Sequence, residues 1–383
     1  MSTWMIRRIS DGYHPPMSSR LTTSLIACSL AVTLVACSGS SDPAPAASQT
    51  ASATPAPGTG TVVHPQETRL SNIRQFTFGG ENAEAYFSFD GTRISYQAKG
   101  EYPCDQIFMM NVDGTGKTLV STGTGRTTCS HFMPDGKSIV YASTHLGGKE
   151  CPAEPSREMG YVWPIYGTYD IFRVNVDGTG LTQLTNTPGY DAEATVAKDG
   201  RIVFTSVRDG DMEIYSMNAD GSDVKRLTNL PGPDGGPFFS ADGSQIVFRG
   251  RHPEPGEEMT DYTTLLKKEL WRPRGLDVFV MNRDGSNLRQ VTKNLGGANW
   301  APFFAPDGKR IIFASNMKDP RGGNLDLYMI NVDGTGLEQI TFSEVFDGFP
   351  MFSPDGTKLI FGSNRNATNP NNTNLFIADF KWE

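Results

Sequence analysis

The stretch Ala197–Thr228, AKDGRIVFTSVRDGDMEIYSMNADGSDVKRLT, decides the fold. Two of its Asp-Gly pairs, Asp199-Gly200 and Asp220-Gly221, stand between runs of alternating aliphatic and aromatic residues. Glycine takes the positive φ that a tight turn demands, so each pair reads as a hairpin turn. The stretch therefore holds the makings of four short strands. One ends before Asp199; the others are RIVF, EIYSM and KRLT.

The first marker recurs at Asp90, Asp135, Asp242, Asp307 and Asp355, giving spacings of 45, 64, 43, 65 and 48 residues. The second recurs as NVDGTG at Asn111, Asn175 and Asn331, as NADGSD at Asn218 and as NRDGSN at Asn282. Gly114-Thr115-Gly116-Lys117-Thr118 has the look of a phosphate-binding loop, but the glycine such a loop needs five positions earlier is replaced by Asn111. In the sister copy Leu181 follows Gly180, so turn chemistry accounts for the stretch. A four-strand unit repeating every 40–50 residues, with two longer insertions, is the pattern of a propeller. Six markers predict an all-β, six-bladed β-propeller of four-stranded blades. The last blade lacks a fourth strand after LFIADFKWE, whereas NIRQFTFGGENAEAYFSFDG aligns with NLRQVTKNLGGANWAPFFAPDG. Asn72–Phe78 is therefore expected to be an outer strand that closes the ring against blade six, removing exposed edges.

The 383 residues suit one large all-β domain plus a tail. The formal net charge of −8 argues against a nucleic-acid surface and provides no polybasic membrane patch. Residues 1–36 read as a signal segment, in which Arg20 precedes the apolar run LTTSLIACSLAVTLVAC; Met17 is a second candidate start. Residues 37–67 are rich in Ala, Pro, Ser and Thr and read as a disordered tether. Residues 68–383 are the expected propeller.

The two markers, with LT closing the outer strands, resemble the TolB-type repeat, a WD40-like propeller family, over roughly residues 70–383. TolB itself carries an α/β domain before its propeller; here the tether stands in that place. Leu34-Val35-Ala36-Cys37 resembles the bacterial lipobox, which implies lipidation of Cys37, and Ser38 after it implies the outer membrane, with the protein facing the periplasm. A second relative by resemblance, the oligogalacturonate lyase propeller, uses histidine-held metal. No Gly-x-Ser-x-Gly elbow marks a serine hydrolase.

Strand order places both insertions, Leu146–Thr168 and Arg251–Leu276, on one face, here called face one. EEMTDYTTLLKKELW in the second reads as a short helix, and YVWPIYGTY from Tyr161 supplies aromatics for stacking or packing. Indexing the inner strands on their Asp-Gly places Asn82, Thr127, Asp191, Asp234, Asn299 and Asp347 eight residues before it. Glu84, Cys129, Glu193, Gly236, Ala301 and Phe349 stand six before it. Residues two apart share a strand face, so both rows are expected to point into the channel at its face-one mouth. Oxygen-rich rings favour Ca²⁺, with Asp191, Asp234 and Asp347 as the candidate ligands; capping of strand ends is the competing account.

His145, Arg208, Arg251, His252 and Arg365 extend the expected rim. A three-histidine metal set would need His131 beside His145 and His252. In an oxidising envelope two of Cys104, Cys129 and Cys151 should pair, and Cys129–Cys151, within one blade, is the favoured pair. The expected function is an envelope lipoprotein that binds a protein or peptide through face one. The alternative is a metal-assisted lyase or hydrolase acting on carbohydrate or peptide at the channel mouth.

Overall fold

The computed structural model describes residues 63–383. The expected signal segment, Cys37 and the expected tether up to residue 62 lie outside the described residues. Six four-stranded antiparallel sheets surround a central channel. Their inner strands are Glu81–Phe87, Thr127–Phe132, Asp191–Val196, Asp234–Phe239, Asn299–Phe304 and Asp347–Phe352. The outermost strands of blades one to five are only two residues long, such as Lys225–Arg226. Short edges limit pairing with other chains. Among the described residues no helix is long and apolar enough to cross a membrane.

The closing strand is supplied by the start of the propeller. Leu70–Gln75 pairs with Asn374–Phe380 of blade six, in the register Leu70↔Phe380 to Gln75↔Phe376. It begins and ends a few residues earlier than the sequence alignment placed it. Glu67, just before it, is buried and takes Arg365 Nη1 at 2.8 Å and the Phe342 N–H at 3.0 Å, so the propeller's hold on the chain starts one residue ahead of position 68.

Two hydrogen bonds recur in every blade. The N–H of the residue eight before the marker donates to the carbonyl at the end of the preceding blade's long loop: Thr127 to Asp105, Asp191 to Tyr169, Asp234 to Met212, Asn299 to Leu276, Asp347 to Leu325 and Asn82 to Thr373. The hydroxyl of the outer strand's LT motif accepts a third-strand N–H, as Thr185 does from Ile171, Thr228 from Ile214, Thr292 from Val278 and Thr341 from Leu327. Ser121 does the same for Ile107 in blade one, and Thr77 does it for Leu375 across the closure. The second strands each bury one aromatic between blades: Tyr96, Tyr141, Phe204, Phe248, Phe313 and Phe361. Each stabilises the stack by roughly 1.5–3 kcal/mol of apolar burial.

All six inner strands carry a β-bulge at one place, between Ala83 and Tyr86, Thr128 and His131, Ala192 and Thr195, Gly235 and Phe238, Trp300 and Phe303, and Gly348 and Met351. The residue six before the marker has positive φ each time, from 49° at Cys129 to 60° at Gly236. A bulge interrupts the alternation of side chains. The two rows therefore do not share a direction, which corrects the sequence expectation.

The two insertions pair with each other. Trp163–Pro164 forms a two-stranded sheet with Leu270–Trp271, and the expected helix is present as Glu257–Leu266. The indole rings of Trp163 and Trp271 meet edge-on at 5.3 Å, and Trp163 also meets Trp300 of blade five's inner strand at 6.1 Å. Arg272 donates to the carbonyls of Met159 and Tyr161 at 3.2 and 3.0 Å. The insertions thus form a lid on face one. A disulfide between Cys104 and Cys151 ties it to blade one, and Cys129 is free and buried. That corrects the Cys129–Cys151 expectation: membership of one blade does not bring the thiols together, because Cys129 sits on the inner strand and Cys151 out in the insertion.

Candidate functional site

The row eight before the marker does not form an open acidic collar. All six residues are buried and bonded. Arg208 Nη2 donates to both oxygens of Asp191 at 2.9 and 3.0 Å. His252 Nε2 lies 2.9 Å from Asp234, and Arg365 Nη2 is 2.7 Å from Asp347. Asn82 donates to the Gly79 and Thr373 carbonyls at 2.9 and 3.1 Å, and Asn299 accepts from Ser315 at 2.7 Å. The expected rim cations Arg208, His252 and Arg365 are the partners of the expected collar acids, each within its own blade. Burial raises the carboxyl pKa of Asp191 and Asp234. Burial alone would lower that of His252, but the hydrogen bond and charge of Asp234 outweigh it and raise it. This row closes strand ends, the capping role.

Arg251 is held by Glu258 of the lid helix at 2.9 Å through two nitrogens. His145 sits over Phe172 at 4.4 Å with Nδ1 2.9 Å from Ser143 Oγ. His131, His145 and His252 have different neighbours, and among the described residues no three His, Cys, Asp or Glu side chains gather as a metal set.

The row six before the marker does face the channel. Glu84, Cys129, Glu193, Gly236, Ala301 and Phe349 ring a chamber of about 40 Å³, completed by Tyr86, Thr195, Phe238, Arg249, Trp163 and Trp300. Trp163 belongs to the lid, so the chamber is roofed on face one. Glu193 is fully engaged: Oε1 takes Arg249 Nη2 at 2.7 Å, and Oε2 takes Thr205 Oγ1 at 2.7 Å and the Gly236 N–H at 2.8 Å. Arg249 lies under the Trp271 ring, 5.4 Å from its centre. Glu84 Oε2 receives the Cys129 N–H at 3.2 Å and the Cys129 thiol at 3.0 Å. Burial, then the charge of Glu84 and Glu193, pushes the thiol pKa well up, so it stays protonated and donates. Burial also raises Glu84, partly offset by the thiol's hydrogen bond.

On the opposite side, face two, the channel opens into an apolar funnel of about 100 Å³ that sequence reasoning did not single out. Phe89, His131, Phe238, Phe303, Pro306, Met351 and Pro354 line it, with Lys198 exposed at its edge. Thr195 and Phe238 line both funnel and chamber. Between them stands an aromatic waist: Phe238 lies 5.5 Å from Tyr86 and 5.4 Å from Phe303, and Tyr86 lies 6.1 Å from His131. Burial lowers the His131 pKa to about 4, so the imidazole is neutral near pH 7. The only signal for the funnel was the aromatic or Met residues within a few positions before five of the six markers, all but Asp199, which read equally as core.

Around the funnel run the marker turns. Asp90 accepts from the Ser88 and Thr92 side chains and the Thr92 N–H, which lowers its pKa to about 2. Asp113, Asp177, Asp220, Asp284 and Asp333 accept the N–H and hydroxyl two residues on in the same way. The marker turns thus put ionised carboxylates on face two, of which Asp199 and Asp307 are paired with Arg283 and Arg310 at 2.7 Å each.

Residues 158–264 and 270–371 match the TolB beta propeller domain family. An uncharacterised protein of Agrobacterium fabrum is 33% identical over 79 residues, 21% of this chain and 25% of that protein, so the match spans a quarter of the relative's length. Among solved structures, a putative TolB from Agrobacterium tumefaciens is similar with a TM-score of 0.53 at 18% identity, covering 81% of this chain and 97% of that one. A gluconolactonase from Xanthomonas campestris has a TM-score of 0.53 at 15% identity, covering 85% of this chain and 95% of its own. At such identities the likeness is one of fold.

Proposed function

The chain belongs to the TolB β-propeller family, and from that premise we propose that it is a protein- or peptide-binding scaffold of the bacterial envelope, anchored through lipidated Cys37 to the outer membrane and facing the periplasm. The observation that carries the binding reading is the funnel on face two. It is concave and apolar at its centre, with a crown of aspartates around it. A partner segment with an apolar tip and basic flanks complements both features. The face-one site expected from sequence gives way to face two, because the paired insertions roof the channel and the rim cations are spent on buried carboxylates.

Peptides selected by display against the propeller test this reading. They should lose at least tenfold in affinity on Phe303→Ala, bind no more weakly on Lys198→Glu, which removes a charge that repels basic flanks, and keep their affinity on Arg251→Ala, whose side chain is held by the lid helix. The reverse pattern would sink the face-two assignment. Cys37→Ala should release the protein from membranes; retention after an alkaline wash would overturn the anchor.

A further inference from the structure

We propose that the mid-channel chamber binds a primary alkylammonium group, the tip of a lysine side chain or a free amino terminus, borne on a segment that enters from face two. The inference rests on the scaffold reading only for its route of entry. The chamber itself argues for a cation. Three side chains of formal charge line it: Glu84, Glu193 and Arg249. Arg249 neutralises Glu193, whose two oxygens take three donors.

Glu84 is 3% exposed, and the Cys129 N–H and thiol, both neutral, donate to its Oε2. Oε1 takes no donor among the described residues and fronts the chamber. A buried carboxylate without a counter-charge is costly. Among the described residues no Lys or Arg pairs with Glu84, and burial raises its carboxyl, so a bound cation would hold it ionised.

The far wall selects the kind of cation. Tyr86, Trp163, Trp300 and Phe349 present aromatic surface, which attracts organic cations through the ring face and packs against methylene groups. Volume sets the size. A water needs roughly 10–15 Å³ of such space. The chamber's 40 Å³ suits a terminal CH₂–NH₃⁺ and is too small for a sugar ring. Phe238 and Thr195 line both funnel and chamber, so they mark the route along which an unbranched alkyl stem would pass the aromatic waist. The lid closes the other end.

The test uses n-hexylamine at neutral pH as probe, with n-hexanol and hexanoate as comparators, read by tryptophan fluorescence and thermal shift. Hexylamine should bind saturably and at least tenfold more weakly to Glu84→Gln; hexanol and hexanoate should not saturate. Should Glu84→Gln not fold, the parent protein still answers. Amide exchange around Cys129, whose N–H donates to Glu84, read by mass spectrometry, should slow at least fivefold with hexylamine and stay unchanged with hexanol. An N-acetylated peptide with one lysine and a lysine-free peptide with a free amino terminus separate the two sources. No saturable amine binding, equal protection by hexanol, or unchanged affinity in folded Glu84→Gln would overturn the proposal. Peptides that bind face two while no amine binds would leave the scaffold standing and remove this inference alone.

Discussion

His131 shows how a single buried ring shapes the response to acid. It titrates near 6.5 in the unfolded chain and at about 4 in the folded one, because burial disfavours the charged form. Between those values the unfolded state binds more protons, so stability is full above 6.5 and falls as the pH drops toward 4. The term amounts to about 2–3 kcal/mol at pH 4.5. Urea melts at pH 7 and 4.5 should show a smaller loss for His131→Gln than for the parent; equal losses would refute it. Asp191 makes a second case. Its carboxylate is 1% exposed and holds Arg208, so Asp191→Asn should cost roughly 1–3 kcal/mol by leaving a half-paired guanidinium. A collar of repelling charges would instead gain stability on that change, and chemical denaturation tells the two apart. The identities of both rows were legible in the sequence. Their directions were not, because Glu84, Cys129, Glu193, Ala301 and Phe349 adopt positive φ without being glycine. Only Gly236 hinted at it.

At the scale of elements, the marker turns and strand pairs could be read residue by residue, since Asp-Gly and alternation are local signals. The lid could not. The sequence showed two insertions and a helix, but pairing of Trp163 with Trp271 joins residues far apart in the chain, and two-residue strands leave no periodicity. The disulfide follows the lid rather than the blade. Non-reducing mass spectrometry should find Cys104 joined to Cys151 and Cys129 unpaired; a Cys129 linkage would contradict the fold near the chamber. Cys151→Ser should lower stability by roughly 2–4 kcal/mol, less if the insertion stays ordered without it. It should also speed amide exchange around residues 161–165, whereas unchanged exchange would mean that the Trp163–Trp271 pairing holds the lid unaided.

Residues 63–383 form a ring, and a ring is only as stable as its weakest seam. At the closure, Leu70–Gln75 pairs with blade six, Glu67 binds Arg365, and Arg69 meets Glu338 through two nitrogens at 2.8 and 3.0 Å. Deleting residues 63–78 removes these contacts and Thr77's bond to Leu375, and exposes the edge of Asn374–Phe380. The truncated protein should melt lower and aggregate; an unchanged melting temperature would refute the seam. That the first strand completes the last blade was visible from the alignment of NIRQ with NLRQ. The buried Glu67–Arg365–Asp347 triad was not, because nothing local marks a glutamate that finds its partner across the ring.

The seam also sets a clock. Thr77 and Leu375, which bond across it, are 298 residues apart in the chain. A ribosome adding about 5–20 residues per second needs on the order of 15–60 s between them. Throughout that interval the opening strand has no mate, and five blades can assemble before the sixth exists. The nascent protein therefore spends its synthesis as an open arc with a sticky edge. A chaperone that covers such edges should matter most to this protein just before its C-terminal strand arrives.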